Sequence, residues 1–315
     1  MIGLGTATIG RPHYINIKTA NKNNDSFDLE KFTQNGITFL NEAYNQGIRH
    51  FDTAPGYGIA EQILLKWIAL ENPKDITVST KWGYTYVADF DLKATQHEVK
   101  EHSIAKLNEQ WEQSILLLPH LKIYQVHSAT LDSGVLENTE VLDKLFELKK
   151  EYKIELGLSV SGDNQNEIIK KALQVAINGE SLFDSFQITF NVFDQSLLEI
   201  NKALIECGKK VIIKEALANG RIFPNSKYPQ YQKTYSLLQS LAKKYAVGVD
   251  AIALRFCLDL IAPYSVLSGA SEEKHLEANL KASKIKLTSD ELISLKSLAV
   301  DPIFYWDERK KLAWN

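Results

Sequence analysis

Short runs of β-branched and other apolar residues alternate with longer amphipathic segments along nearly the whole chain. This alternation constrains the fold more than any other feature, because it calls for strands joined by helical crossovers. Strand-like runs fall at residues 2–6, 48–51, 76–80, 121–126, 155–159, 185–189, 210–214 and 265–267. Helix-like segments lie between them, at 28–46, 61–70, 99–118, 136–152, 166–178, 196–207 and 230–245. In the segment 99–118, Val99, Ile104, Leu107, Trp111, Ile115 and Leu118 recur at helical spacing. Parallel strands with right-handed crossovers follow, hence an α/β barrel or a doubly wound sheet.

The last crossover reads as two helices, 231–245 and 250–260, around a Val247-Gly248-Val249 break, with Asp250 as the second N-cap. Two further helices are predicted at 272–282 and 289–298, followed by an aromatic tail of Phe304, Tyr305, Trp306 and Trp314. No linker, low-complexity run or repeat interrupts the pattern, so residues 1–315 are read as one domain. With 44% hydrophobic residues, such a chain can fill one large closed core.

A net charge of −3, from 36 basic and 39 acidic residues, gives no footprint for nucleic acid or an anionic membrane. Small molecules are the expected partners. Cys207 and Cys257 sit in apolar helical stretches without His or Cys neighbours, and are read as buried, reduced thiols. The start of the chain lacks the pattern of a signal peptide, and no stretch has the apolar length of a membrane span. A cytoplasmic location is expected.

In a barrel of parallel strands, chemistry gathers at the C-terminal ends of the strands. Asp52 ends the second predicted strand with Tyr57 just beyond it, Lys81 ends the third and His127 the fourth. Singly, each has an ordinary structural explanation: a helix cap, a packed loop residue, a strand-end charge, a core histidine. Together they form a proton-transfer set. An ammonium beside a tyrosine stabilises the phenolate and lowers its pKa, a buried aspartate keeps that ammonium charged, and a neutral histidine orients a substrate oxygen. Neither a metal nor a covalent nucleophile is required, and no metal-ligand cluster or carboxylate pair stands at the strand ends.

The segments Phe51-Asp52-Thr53-Ala54-Pro55-Gly56-Tyr57-Gly58, Ser79-Thr80-Lys81-Trp82-Gly83 and Tyr124-Gln125-Val126-His127 resemble the aldo-keto reductase superfamily in order and spacing. The likeness continues through Gly157-Leu158-Ser159, Gln187-Ile188-Thr189-Phe190-Asn191, Lys214-Glu215-Ala216-Leu217-Ala218-Asn219-Gly220-Arg221, Leu267-Ser268-Gly269-Ala270 and Leu276-Glu277-Ala278-Asn279-Leu280. The resemblance implies a (β/α)8 TIM barrel with extra C-terminal helices and Asp52, Tyr57, Lys81 and His127 as catalytic tetrad, Tyr57 being the general acid/base. It further implies that Ser159 and Gln187 hold the nicotinamide carboxamide, and that Gly5, Thr6 and Asp52 approach the nicotinamide ribose side. The backbone from Glu215 through Ala216 and Leu217 to Asn219 would follow the pyrophosphate, with Lys214 at the nicotinamide. Gly269, Ala270 and Ser271, with His275 and Asn279, would take the adenosine end, Ser271 serving also as an N-cap. Trp82, the loop 84–91, Phe304, Tyr305 and Trp306 would wall the substrate pocket together with Tyr57 and His127.

Four departures from the family pattern stand out. The usual N-terminal hairpin is missing, since Gly3-Leu4-Gly5-Thr6 already belongs to the first strand. Val160 stands where Asn is common beside Ser159. Lys214 replaces an aromatic ring, and is expected to pair with Glu215 or point elsewhere. Gly269 and His275 replace basic residues that contact a 2′-phosphate, while Glu272 and Glu273 lie in the same turn as Lys274. The resemblance favours NADP(H), with NAD(H) as the rival cofactor. Arg11 and Arg221 are read as solvent or cofactor contacts. The expected function is NADP(H)-dependent reduction of an aldehyde, ketone or sugar carbonyl. The alternatives are an NAD-dependent sugar (lactol) dehydrogenase and a low-turnover nucleotide-binding regulatory protein of the same fold.

Overall fold

The computed structural model describes residues 1–13, 27–91 and 93–314. Eight parallel strands close a barrel: β1 (Ile2–Gly5), β2 (His50–Asp52), β3 (Thr77–Trp82), β4 (Leu121–Ala129), β5 (Glu155–Val160), β6 (Ser185–Thr189), β7 (Lys210–Lys214) and β8 (Ser265–Ser268). The ring runs β1-β8-β7-β6-β5-β4-β3-β2, and β1 pairs with both β8 and β2. Closure decides for the barrel over the doubly wound sheet.

Alternation along the strands separates two interiors. Phe51, Val78, Tyr124, Leu156, Leu158, Phe186, Ile188, Ile213 and Val266 join the helices in one large apolar core. The alternate residues point into the barrel, where only Ile123, Ile212 and Leu267 form a small apolar cluster. Most of the remaining inward positions are polar or small: His50, Asp52, Ser79, Lys81, Gln125, Gly157, Ser185 and Gln187 are all buried. The strands are therefore not apolar runs with polar ends. They alternate throughout, and the polar half is enclosed.

Local sequence sets the helix limits, and departs from the periodicity in identifiable places. The helix expected from Val99 begins only at Ile104, where the Ser103 side chain caps it by accepting from Lys106 N. Glu98–Lys100 instead pairs antiparallel with Tyr84–Tyr86. The helix expected over 166–178 ends at Ala172, because Asn178 and Gly179 both adopt positive φ and join Ala176–Ile177 to Glu180–Ser181 in a tight hairpin. The segment 196–207 divides into a short 3₁₀ turn and the helix Asn201–Glu206, which leaves Cys207 exposed while Cys257 is buried. Gly248, not Asp250, is the N-cap of Val249–Ile261, and Asp250 lies in its first turn. The next helix is Glu273–Leu280 with Glu272 at the N-cap, so Ser271 does not cap it. The helix Ser289–Lys296 opens on a full capping box of Thr288 and Glu291. The aromatic residues near the C-terminus are carried by a helix, Pro302–Lys310, with Tyr305 and Trp306 buried and Phe304 exposed. No helix among the described residues is long and apolar enough to cross a membrane.

Gly157 shows how full the barrel is: a Cβ there would stand 2.2 Å from Ser185 Oγ and 2.8 Å from the Ser185 carbonyl. Gly157→Ala should lower stability by roughly 1–3 kcal/mol through overpacking. Urea denaturation checks this, and an unchanged midpoint would show that the inner layer yields.

Candidate active site

Asp52 is the hub of the barrel interior. Its Oδ1 accepts from Ser79 Oγ at 2.7 Å, Gln187 Nε2 at 2.8 Å and Gln125 Nε2 at 3.4 Å. Its Oδ2 accepts from Lys81 Nζ at 2.5 Å. Lys81 is fully buried and also donates to the Thr53 carbonyl at 3.0 Å, which leaves one further N–H. His50 Nε2 lies 2.9 Å from Ser79 Oγ, so a buried polar chain runs from His50 through Ser79 and Asp52 to Lys81. Burial pushes the His50 imidazole down to about 4, so it is neutral. Nothing in the motif singles out His50 or Ser79. The signal available was their i, i+2 spacing from Asp52 and Lys81 on the same strands.

Tyr57 ends a 3₁₀ turn, Pro55–Tyr57, that follows β2 directly. Close backbone contact holds the turn: Ile59 N donates to the Gly10 carbonyl at 2.9 Å, and a Cβ on Gly10 would lie 2.1 Å from the Tyr57 carbonyl. The Lys81 ammonium stands 4.7 Å from the centre of the Tyr57 ring. Burial and the Asp52 charge push the Tyr57 phenol well above its ordinary range. The acidified phenol expected from Lys81 alone is thus not the resting condition. The reason is first the burial of the phenol and then the negative charge of Asp52.

The guanidinium of Arg11 packs 5.4 Å from the Tyr57 ring centre and 4.8 Å from that of Trp314. It is buried, donating to the Gly56 carbonyl at 3.1 Å and to Glu98 at 2.8 Å, and is neither a solvent nor a cavity-lining residue. His127 sits at an irregularity of β4 between Val126 and Ala129, where Ser128 takes a φ of 49°. Such a bulge re-aims a strand-end side chain. The His127 ring lies edge-on to Tyr57 at 5.4 Å and 4.7 Å from Tyr84. Burial, then the charges of Lys81 and Arg11, hold it neutral, well below the ordinary histidine value.

An elongated cavity of about 530 Å³ opens from this cluster across the mouth of the barrel. Its size is ordinary for a small-molecule or cofactor site. Asp52, Tyr57, Gly5 and Gln187 line one end, Lys214, Glu215, Ala216, Leu217 and Asn219 the middle, and Gly269, Ala270, His275 and Asn279 the other. The middle segment is unusual backbone: Glu215, Ala218 and Asn219 all have positive φ. Left-handed non-glycine residues cost roughly 1–3 kcal/mol each and cluster where a ligand is held. Lys214 does not pair directly with Glu215. Its Nζ donates to Thr189 Oγ1 at 2.8 Å and Ser161 Oγ at 3.0 Å, while Glu215 is held by Arg309 at 2.9 Å. Burial brings Lys214 down to about 8. Burial alone would raise Glu215, but Arg309 and Lys214 hold it down to about 2.

Several expected contacts lie elsewhere. Thr6 donates inward to the Asp52 carbonyl at 3.1 Å, and Ser159 Oγ accepts from Ser128 N at 2.8 Å; neither lines the cavity, and nor does Ser271. Gln187 lines it, and its amide gives one N–H to Asp52, which leaves the other N–H and the carbonyl oxygen for a ligand. Trp82 is fully buried against His102, and Trp306 is buried with its Nε1 on Asp194 at 3.0 Å, so neither lines the cavity. Arg221 is a core residue, donating to the carbonyls of Ala218 and Tyr305 and to Glu308. Phe223, Gly248, Val249 and Asp250 line the cavity without having been singled out in the sequence as ligand contacts. They come from loops and a helix end, not from the strand ends where chemistry was sought.

Barrels with ionisable groups gathered at the C-terminal ends of the strands, beneath an open cavity, are enzyme scaffolds. The enzyme class here is oxidoreductase. Residues 1–300 match the Aldo/keto reductase family, and the chain belongs to it. It is 24% identical over 291 residues to the oxidoreductase YqkF of Bacillus subtilis (strain 168), covering 85% of this chain and 89% of that protein. It is likewise 24% identical over 292 residues to the NADH-specific methylglyoxal reductase of Escherichia coli (strain K12), covering 84% and 87%. The aldo-keto reductase AKR11C1 of Bacillus halodurans superposes with a TM-score of 0.69 at 23% identity, covering 95% of this chain and 92% of that one.

Behind β3, Glu61 is buried and accepts from Thr80 and Ser114. Burial raises its carboxyl from 4.5 to about 7, against those hydrogen bonds. The folded protein therefore holds a proton in that window that the unfolded chain releases, and loses stability as pH rises through it. Glu61→Gln removes this dependence and should gain about 3 kcal/mol on wild type over the same window. Urea midpoints of both proteins at several pH values test this; a constant difference would contradict it.

Proposed function

We propose that this chain, as one barrel domain over residues 1–315, is a cytoplasmic nicotinamide-dependent carbonyl reductase acting on a small aldehyde, ketone or sugar carbonyl. The observation that carries the reading is the buried Asp52–Lys81 pair beneath Tyr57 at one end of the cavity. The cavity suits a dinucleotide in its volume and in its strained glycine- and alanine-containing loop, and a Cβ on Gly269 would meet nothing within 4 Å. Gly5, Gln187, Lys214 to Leu217, Asn219, Gly269, Ala270, His275 and Asn279 would hold it. When bound, the cofactor supplies hydride to the carbonyl carbon.

The residues of the chain then manage one proton. A phenol held above its ordinary pKa stays protonated at neutral pH, as a donor must. As negative charge develops on the substrate oxygen, Tyr57 passes its proton to that oxygen. Lys81, fixed and kept charged by Asp52, stabilises the phenolate left behind. His127, held neutral, donates one hydrogen bond to the same oxygen and orients it without competing as an acid.

Close to Tyr57 stand the His127 ring, itself against Tyr84, and Arg11, which packs on Trp314 and whose charge is met by Glu98. An uncharged, small carbonyl compound suits such a surface. The name of the Escherichia coli relative, a methylglyoxal reductase, agrees with that substrate class.

Tyr57→Phe should lower carbonyl reduction, followed by loss of reduced-nucleotide absorbance, by at least ~100-fold. Nucleotide binding, read by tryptophan fluorescence, should stay near native. Near-native turnover in the variant would remove Tyr57 from its role. Tight nucleotide binding with no turnover in wild type would favour a regulatory protein instead.

A further inference from the structure

We propose that Asp250 makes the Gly269 end of the cavity select a ribose 2′-hydroxyl over a 2′-phosphate, and hence NAD(H) over NADP(H). The inference rests on the reading of this cavity as a nicotinamide dinucleotide site. With the proton donor Tyr57 at one end, the second nucleoside belongs at the other, among Gly248, Asp250, Gly269, His275 and Asn279.

Asp250 stands in the first turn of Val249–Ile261 and is 9% exposed. Its carboxylate folds back over the start of its own helix. A Cβ on Gly248 would come within 2.1 Å of Asp250 Oδ1, so a residue without a side chain is needed at 248 for this position. Burial raises the Asp250 carboxyl above its ordinary value, and the backbone N–H groups of Ala251 and Asp250 oppose that shift. The positive end of a helix ordinarily attracts a phosphate. Here the chain supplies its own anion to that end, and a phosphate would meet like charge in place of free donors.

The cations a 2′-phosphate needs are also scarce. Among the described cavity-lining residues there is no arginine, and the one lysine, Lys214, lies on the Tyr57 side and is engaged by Thr189 and Ser161. The groups facing Asp250 across the helices are His275 and Lys281. Glu272 and Glu273 open the helix that bears His275, and Glu273 accepts from Gln46 at 3.4 Å. A carboxylate in this setting accepts a hydrogen bond from a 2′-hydroxyl, whereas a dianionic phosphate would be repelled. The family expectation of NADP(H) gives way on this reading.

The test is direct binding, independent of turnover. NADH and NADPH are titrated by tryptophan fluorescence against wild type, Asp250→Asn and Asp250→Ser, with melting temperatures recorded for each. ADP-ribose and 2′-phospho-ADP-ribose, which carry no nicotinamide, are titrated against wild type alone and need no variant to fold. Wild type should prefer NADH over NADPH, and ADP-ribose over its 2′-phosphate, by about tenfold or more. Both variants should narrow the dinucleotide ratio by about tenfold, chiefly by gaining NADPH affinity. Equal or tighter binding of the 2′-phosphorylated ligands to wild type would overturn the proposal. So would variants of native melting temperature with an unchanged ratio. Failure of wild type to bind either dinucleotide would instead overturn the reading of the cavity itself.

Discussion

A fully buried lysine is tolerable in a protein only if its charge is met, and in this barrel Asp52 meets that of Lys81. Taking either ion out of water costs several kcal/mol, and the geometry must return that through direct contact and saturated hydrogen bonding. The Asp52 carboxylate receives donors from three other strands: Ser79 and Lys81 on β3, Gln125 on β4 and Gln187 on β6. One side chain thus ties together strands that are not all neighbours in the ring. A one-residue slip of any of them would turn its polar donor outward into the apolar core, so the pair fixes register as well as charge.

The chemistry follows from the same constraint. Burial and the Asp52 charge keep the phenol above the pair protonated, and on the proposed reading Lys81 contributes chiefly when the proton has left. The rest of the cavity is built on other terms. Lys214 is lowered by burial and Glu215 is held ionised by Arg309, so the middle of the site keeps opposite charges close without joining them in one pair. At the far end the anion is internal, Asp250 on its own helix terminus. The two ends of one cavity therefore differ in charge, and the difference traces to which charges the fold has already neutralised.

Much of this was legible from residue order. The strands appear within a few residues of where apolar runs place them, with Asp52, Lys81 and His127 at or near their C-terminal ends. The misreadings have physical causes. Val99 shares the helical period of Leu107 and Trp111, but the Ser103 cap stops the helix short of it. The Asn178-Gly179 pair is a hairpin signal that outweighs the helical period of the residues before it. Trp82 and Trp306 have the composition of pocket walls, yet large aromatic surfaces gain most by burial, and both lie in the core.

By itself the sequence determined the alternation of strand and helix and the residue types able to move a proton. These are local properties, set by side-chain chemistry and spacing along one chain. Only the tertiary structure decided that Gln187 spends its amide on Asp52, that Arg11 and Arg221 are internal, and that the carboxylate of Asp250 faces the same cavity as Tyr57. Those outcomes depend on closure of the barrel, which pairs Ile2 with Val266 and so brings together residues from the two ends of the sequence. Contacts between such distant residues have no period for a sequence to display.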